Sequence, residues 1–328
     1  MNVKILSNED VNHLVKMEDA IDIIRSAFIQ LHQGKADLPL RIQIQVTQQT
    51  RTLVMPAYLK ETGALATKII SIFPENRGTD LPTVHAVVMV TDSRTGQPLA
   101  LMGAHSLTAL RTGAASGVAT ELLARKDSRV VAIFGAGIQG RTQLQAVCCV
   151  RPIEKVLIYD VDPTAVQTYI EDMRTLPHIP PNIQPASSPS HALEVADIVC
   201  TATPSTQPVF QDEFLKRGTH INAIGSFTPH MQEIPEKTVA RSKIVVDSLE
   251  ASLSESGDLI IPLNHTSITR EDIHGELGEL ASGARVGRET DDEITLFKSV
   301  GLAIQDAALS HYVLTQAQSS NRGCNVKI

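Results

Sequence analysis

The chain has 328 residues, 42% of them apolar, so it can bury a sizeable core and is long enough for two domains. A net charge of −7 with no basic cluster argues against nucleic acid or an anionic membrane surface as a partner. No apolar run reaches membrane-spanning length, and MNVKILSNED lacks an apolar signal core, so a cytoplasmic location is expected.

Ser7-Asn-Glu-Asp10 has the spacing of a capping box that opens a short helix. Met17–Leu31 predicts a longer one, since Ala20, Ile21, Ile23, Ile24, Ala27, Phe28 and Leu31 share a face, and Gly34 ends it. Arg41–Val46 alternates polar and apolar residues and predicts a half-buried strand, turning back through Thr47–Thr50 into Arg51–Met55. Further strands are expected over Ala64–Ile72, Thr83–Thr91 and Pro98–Met102, and a helix over Ser106–Ala124. From Val130 onward the pattern changes. The strands Val130–Phe134, Lys155–Asp160, Ile198–Thr203, His220–Ile224 and Lys243–Asp247 alternate with helical stretches, which predicts an α/β doubly wound parallel sheet. Thr175–Ser190 carries five prolines and reads as a solvated connection. Glu289–Gln316 reads as one helix, with Gly301 interrupting or closely packing it.

The chemistry-bearing stretch is Arg129–Gly140, RVVAIFGAGIQG. A short apolar strand runs into Gly135-Ala136-Gly137-Ile138-Gln139-Gly140, and a helix follows. In a dinucleotide site the first glycine makes the tight turn, the second admits a pyrophosphate and the third lets helix and strand pack closely. The helix N-terminus then offers free N–H groups to the phosphates. Asp160 ends the next strand, where an acid can accept hydrogen bonds from a ribose. Strand, turn, helix, strand and acid in this order predict a Rossmann nucleotide-binding unit.

Three cations in the first hundred or so residues stand out. Lys68 is flanked by apolar residues in a strand pattern, so it must pair or turn to solvent. Arg111 sits among small residues on a helix suited to burial, and Arg41 opens the alternating strand. Arginine suits bidentate binding of a carboxylate, and a lysine of lowered pKa can transfer a proton. Structural ion pairing is the plainer reading of each. Cys148, Cys149 and Cys200 read as small core residues, and neither they nor Cys324 form a metal-ligand spacing, so no metal is expected. His85, His105 and His230 read as exposed or hydrogen-bonded residues.

The order of motifs resembles the ornithine cyclodeaminase/mu-crystallin family. The matching pieces are Met55-Pro-Ala-Tyr58, Lys68 with Phe73-Pro-Glu-Asn76, Leu81-Pro-Thr-Val84, Leu107-Thr-Ala-Leu-Arg-Thr112, the glycine turn, Asp197-Ile-Val with Thr201-Ala-Thr203, Gly218–Gly225 and Thr295-Leu-Phe-Lys-Ser299. The resemblance implies a Rossmann domain, residues 117–301, inserted into an α+β substrate-binding and dimerisation domain, residues 1–116 and 302–328. It also implies a homodimer. Arg41, Lys68 and Arg111 are similar to the family's substrate-carboxylate and proton-handling residues, and Thr83 lies in a segment that lines the same pocket. Arg111 and Thr112 resemble a pair that reaches the cofactor phosphates. Thr203, Ser226 and Ser299 fall where the family's cofactor is held.

One departure bears on the reaction. Cyclodeaminases carry an Asp in a G-G-D-C-P-G-K-type loop, whereas Gly225–Glu233 has Phe227 there. Phe227 cannot accept a proton, but it suits an apolar ring. A substrate that arrives as an imine needs only a hydride and a proton. The expected activity is therefore reduction of a cyclic imino acid, Δ1-pyrroline-2-carboxylate to L-proline, with Δ1-piperideine-2-carboxylate as a further substrate. Ornithine cyclodeamination and alanine dehydrogenation are the enzymatic alternatives, and mu-crystallin-like ligand binding the non-enzymatic one. Asp160 has no Lys or Arg immediately after it, so NADH is favoured, with NADPH as the alternative cofactor.

Overall fold

Two strand patterns, alternating in the first hundred residues and uniformly apolar after Val130, fold as two separate sheets in the computed structural model. The structure describes residues 2–76 and 78–328; Met1 and Arg77, both inside the expected 1–116 segment, lie outside the described residues. The chain divides into two units, Met1–Arg111 with Leu302–Ile328, and Thr112–Gly301.

The first unit begins with β1 (Asn2–Leu6), α1 (Asn8–Leu14), α2 (Met17–His32), β2 (Ala36–Asp37), β3 (Ile42–Gln45), β4 (Arg51–Leu59), β5 (Ala64–Ile72), β6 (Val84–Asp92), β7 (Pro98–Gly103) and the start of α3 (Ala104–Leu123). The second holds the rest of α3, then β8 (Val130–Phe134), α4 (Ile138–Val150), β9 (Lys155–Tyr159), α5 (Pro163–Arg174), β10 (Ile183–Pro185), α6 (Pro189–Leu193), β11 (Ile198–Thr201), β12 (His220–Ala223), α7 (Glu236–Ala240), β13 (Lys243–Val246), α8 (Leu249–Glu255), α9 (Gly257–Asn264), β14 (Ile273–Glu276), α10 (Leu277–Ala281) and β15 (Thr295–Lys298). The first unit is completed by α11 (Ala303–Ser319) and β16 (Cys324–Lys327).

In the first unit the strand order is β16-β1-β7-β6-β5-β4-β2, with β3 on β4 off this path. All pairings are antiparallel except β1 with β7. Alternation gives the sheet two unlike faces. Met55, Lys68, Val88 and Met102 lie in one cross-strand row and are all buried. Helices α2 and α11 pack on this unit's strands. The opposite face carries the row Ile42, Val54, Ile69 and Val87, and Ile42, Ile69 and Val87 are exposed. The capping box forms: Asp10 N–H donates to Ser7 Oγ at 3.1 Å, and Ser7 N–H to Asp10 Oδ2 at 2.9 Å.

In the second unit all strands are parallel, in the order β10-β9-β8-β11-β12-β15-β13-β14. Both faces are covered, which is why these strands read as unbroken apolar runs. Val131, Ile133, Val156, Ile158, Ile198 and Cys200 fill one core. Ala132, Phe134, Leu157, Val199, Ile221 and Leu296 fill the other. The strand order reverses between β8 and β11, the switch point where such sheets bind ligands.

Several expectations are corrected. Arg41–Val46 contains β3, but Ile42–Gln45 are all exposed rather than half-buried, because β3 pairs only with β4. Thr175–Ser190 is not merely a solvated connection. Ile179 and Ile183 are buried, and Ile183–Pro185 forms the sheet-edge strand β10, where proline is tolerated. Glu289–Gln316 is not one helix: Thr295–Lys298 enters the sheet as β15 between β12 and β13, and α11 starts at Ala303. Gly301, at φ 81°, lies in the connection between them, where its N–H donates to Asp247. Burial raises the thiols of Cys148 and Cys200 to about 12, so both are inert core groups. His85, His105 and His230 are exposed.

Candidate active site

A cluster of charge is built into the buried face of the first unit's sheet. Lys68 lies mid-strand in β5 with its side chain inward, and a buried ammonium there requires a partner. That partner is Asp306 on α11: Lys68 Nζ lies 2.6 Å from Asp306 Oδ2, with the side chains 1% and 2% exposed. Arg111, near the middle of α3, places Nε 3.3 Å from Asp306 Oδ1, and its Nη1 donates to Gln305 Oε1 at 2.7 Å. Gln305 Oε1 also accepts from Leu302 N–H at 2.9 Å. Two donors on that oxygen fix the amide orientation and leave Nε2 buried, with no acceptor among the described residues. Arg41 is one residue beyond Ile42, which pairs with Val54, so it lies level with Met55, the partner of Lys68. Its charge reaches Lys68.

These neighbours set the lysine's protonation. Burial pushes the Lys68 pKa down to about 8; Asp306 opposes this, while Arg111 and Arg41 add to it. Lys68 and Arg111 set two positive charges against the Asp306 carboxylate, and Arg41 adds to the positive field at Lys68, so the cluster is suited to an anion. Val88 pairs with Lys68, while Thr83 lies outside β6 and its carbonyl accepts from Phe73 N–H at 2.8 Å. Sequence reasoning missed Asp306 and Gln305. The signal for Asp306 was a lone acid on a helix face shared with Ala303, Leu309 and Val313, in a chain with cations in apolar settings.

The second unit holds the glycine turn. Gly135 has φ 105°, and a Cβ there would meet Ala202 O at 2.6 Å and Thr203 Cγ2 at 3.2 Å. A Cβ on Gly140 would lie 2.1 Å from Gly135 O, so the third glycine is what lets helix meet strand. A Cβ on Gly137 would meet nothing within 4 Å, so the middle glycine faces open space, as a pyrophosphate cradle requires. Ala136 N–H donates to Asp160 Oδ2 at 2.7 Å, which fixes the turn, and Asp162 N–H donates to Oδ1 at 3.0 Å. Asp160 forms no ion pair with a described residue. Ile138 and Gln139 open α4, with Ile138 exposed. These residues fit a dinucleotide.

The other expected cofactor residues sit at strand ends. Thr203 follows β11, and its Oγ1 donates to Glu233 Oε1 at 2.7 Å. Ser226 follows β12, and its Oγ donates to Met231 O at 2.8 Å. Ser299 follows β15, and its Oγ donates to Asp247 Oδ2 at 2.8 Å. All three hydroxyl protons are thus committed within the chain. Thr112 is buried in α3 just past Arg111, where the division between units falls. Phe227 lies on the loop after β12 and is exposed. The acid in that loop is Glu233, which is fully buried; burial and Asp258 raise its pKa, and Lys298 and Thr203 oppose this.

A model of the ornithine cyclodeaminase/mu-crystallin family matches residues 1–321. The chain belongs to this family. A Δ1-pyrroline-2-carboxylate reductase of Bacillus cereus is 37% identical over 315 residues, covering 95% of this chain and 96% of the relative. The structure of the Thermococcus litoralis Δ1-pyrroline-2-carboxylate reductase, in complex with NADH and L-proline, superimposes with a TM-score of 0.95 at 45% identity, covering 99% of this chain and 100% of that one. An archaeal alanine dehydrogenase dimer with bound NAD superimposes with a TM-score of 0.93 at 38% identity, with full coverage of both chains.

Proposed function

We propose that the chain is an oxidoreductase that converts Δ1-pyrroline-2-carboxylate to L-proline with a nicotinamide cofactor. The observation that carries this reading is the buried cationic cluster around Lys68, in a chain so similar to reductases of that substrate. When bound, the reduced nicotinamide supplies the hydride that C2 of the imine receives. Arg41 and Arg111 bind the substrate carboxylate, and the unpaired Gln305 Nε2 is a further donor to it. Lys68, protonated below about pH 8, donates the proton that the ring nitrogen gains. Asp306 keeps that lysine charged and orients Arg111. Orientation and fixed charge do most of the work, because the redox chemistry belongs to the cofactor. Phe227 contacts the apolar ring, and Thr83 is a secondary substrate contact.

Residues 117–301 form the cofactor-binding domain in this reading. Gly135–Gly140, Asp160, Thr112, Thr203, Ser226 and Ser299 line its site, and Arg111 reaches the cofactor as well as the substrate. NADH is preferred over NADPH, because the unneutralised Asp160 carboxylate repels a 2′-phosphate. Residues 1–116 and 302–328 bind substrate and form a homodimer through the exposed sheet face. Ile42, Ile44, Ile69, Val87, Met89 and Leu101 there are 38–59% exposed. None of the four cysteines is in a disulfide, which suits a cytoplasmic setting in proline metabolism.

The test supplies purified protein with Δ1-pyrroline-2-carboxylate and NADH or NADPH and follows the nicotinamide absorbance. Oxidation of NADH with formation of proline is expected, with Δ1-piperideine-2-carboxylate reduced as well. Failure to oxidise either cofactor overturns the proposal. Ornithine and alanine with NAD+ serve as the alternative substrates.

A further inference from the structure

Glu233 has no place in the proposed chemistry, yet its carboxylate gathers four hydrogen bonds. Oε1 accepts from Thr203 N–H and Thr203 Oγ1, each at 2.7 Å. Oε2 accepts from Thr201 Oγ1 at 2.9 Å and Gly225 N–H at 2.6 Å. These donors come from the carboxyl ends of β11 and β12, the side on which parallel sheets bind ligands. Gly225 is glycine because the two loops meet here: a Cβ would lie 2.2 Å from Thr203 O and 2.5 Å from Glu233 Oε1.

The contacts continue to the dinucleotide turn. A Cβ on Gly135 would meet Thr203 Cγ2 at 3.2 Å, so Thr203 forms the wall opposite the first glycine. Glu233 is itself held from behind. Asp258 Oδ1 accepts from Glu233 N–H at 2.7 Å and Ile234 N–H at 3.0 Å, and Asp258 Oδ2 lies 3.1 Å from Lys298 Nζ, with both side chains fully buried. Asp160 sits on the β9 side of the turn and takes the adenosine ribose in such sheets, which leaves the β11 and β12 side for the nicotinamide half.

We propose that Glu233 is a positioning residue for the nicotinamide half of the cofactor: one buried carboxylate ties the loops after β11 and β12 into a fixed wall of the dinucleotide crevice. This rests on the nicotinamide reading of the second unit. Glu233→Gln keeps the shape but turns an acceptor into an NH2 facing N–H donors. Thr201→Val, nearly isosteric, removes one donor and disturbs the strand least.

NADH binding to the full-length protein is measured by calorimetry or fluorescence titration, with thermal melts alongside. Glu233→Gln is expected to raise the NADH Kd roughly tenfold or more, about 1.4 kcal/mol. The KM for NADH should rise with it while the KM for the imine stays near wild type. Thr201→Val should raise the NADH Kd roughly threefold, and Glu233→Asp should fall between Glu233→Gln and wild type. If Glu233→Gln does not fold, Thr201→Val decides. Wild-type NADH affinity in folded Glu233→Gln, or in Thr201→Val when the former is unfolded, overturns this inference alone. A wild-type protein that binds no NADH overturns the nicotinamide reading beneath it.

Discussion

Asp306→Asn isolates the electrostatic role of the acid without changing its shape. In the wild type Lys68 has a pKa of about 8, so at pH 7 it is roughly nine-tenths protonated. Asp306 is the counter-charge beside it, at 2.6 Å. An opposite charge this close shifts a pKa by about 1–3 units, so its removal takes Lys68 to roughly 6 and leaves roughly a tenth of it protonated at pH 7. If Lys68 supplies the proton, kcat/KM for the imine at pH 7 falls about tenfold, and more where Arg111 is also misaligned. The pH profile carries the sharper signature. Wild-type kcat/KM should decline above about pH 8, and the variant's decline should begin about two units lower. The assay is initial-rate kinetics at saturating NADH from pH 5 to 9, with thermal melts to show that the variant is folded. An Asp306→Asn profile that overlies the wild type refutes the reasoning, because the ion pair then sets neither protonation nor rate.

Other outcomes follow from the same geometry. Gly137→Val should fold with an unchanged melting temperature, since a Cβ there meets nothing, yet weaken NADH roughly tenfold or more in a binding titration. Gly140→Ala should lose both stability and binding, because its Cβ would fall 2.1 Å from Gly135 O. Asp160→Ser should narrow the preference for NADH over NADPH, read as the ratio of the two kcat/KM values, and weaken NADH because Ala136 N–H loses its acceptor. Lys68 should take up protons when L-proline or another carboxylate binds at pH 8 to 9, since an added anion raises a pKa that sits at about 8. Calorimetry in buffers of different ionisation enthalpy measures this; proton release would contradict it. Ile69→Lys with Val87→Lys should convert a dimer to monomers in light scattering, because both lie in one exposed apolar row.

The parts of the fold legible in the sequence are those fixed by local pattern. The glycine turn is one, since Gly135 and Gly140 each answer a steric demand within six residues and Gly137 leaves open space between them. The capping box at Ser7 and the helix from Met17 are others. Elements defined by distant partners were not legible. The strand β15 is four residues, Thr295-Leu-Phe-Lys298, ahead of a helix, and a run that short has no readable period. The pair β1 and β16 joins the two ends of the described chain, and nothing within either segment announces the other. The cations of the candidate site could be named because charge in an apolar stretch is conspicuous. Their counter-ion could not, because Asp306 meets Lys68 across 238 positions and only packing brings α11 to β5.

The central claim is that a hydride from reduced nicotinamide reaches C2 of a cyclic imino acid. NADH carrying deuterium at both C4 positions, incubated with Δ1-pyrroline-2-carboxylate, tests it directly, with the product resolved by chiral chromatography and mass spectrometry. The account predicts L-proline carrying one deuterium at C2, formed in step with NADH oxidation and lost in Lys68→Ala. Unlabelled proline, or no proline with either reduced cofactor, would contradict it.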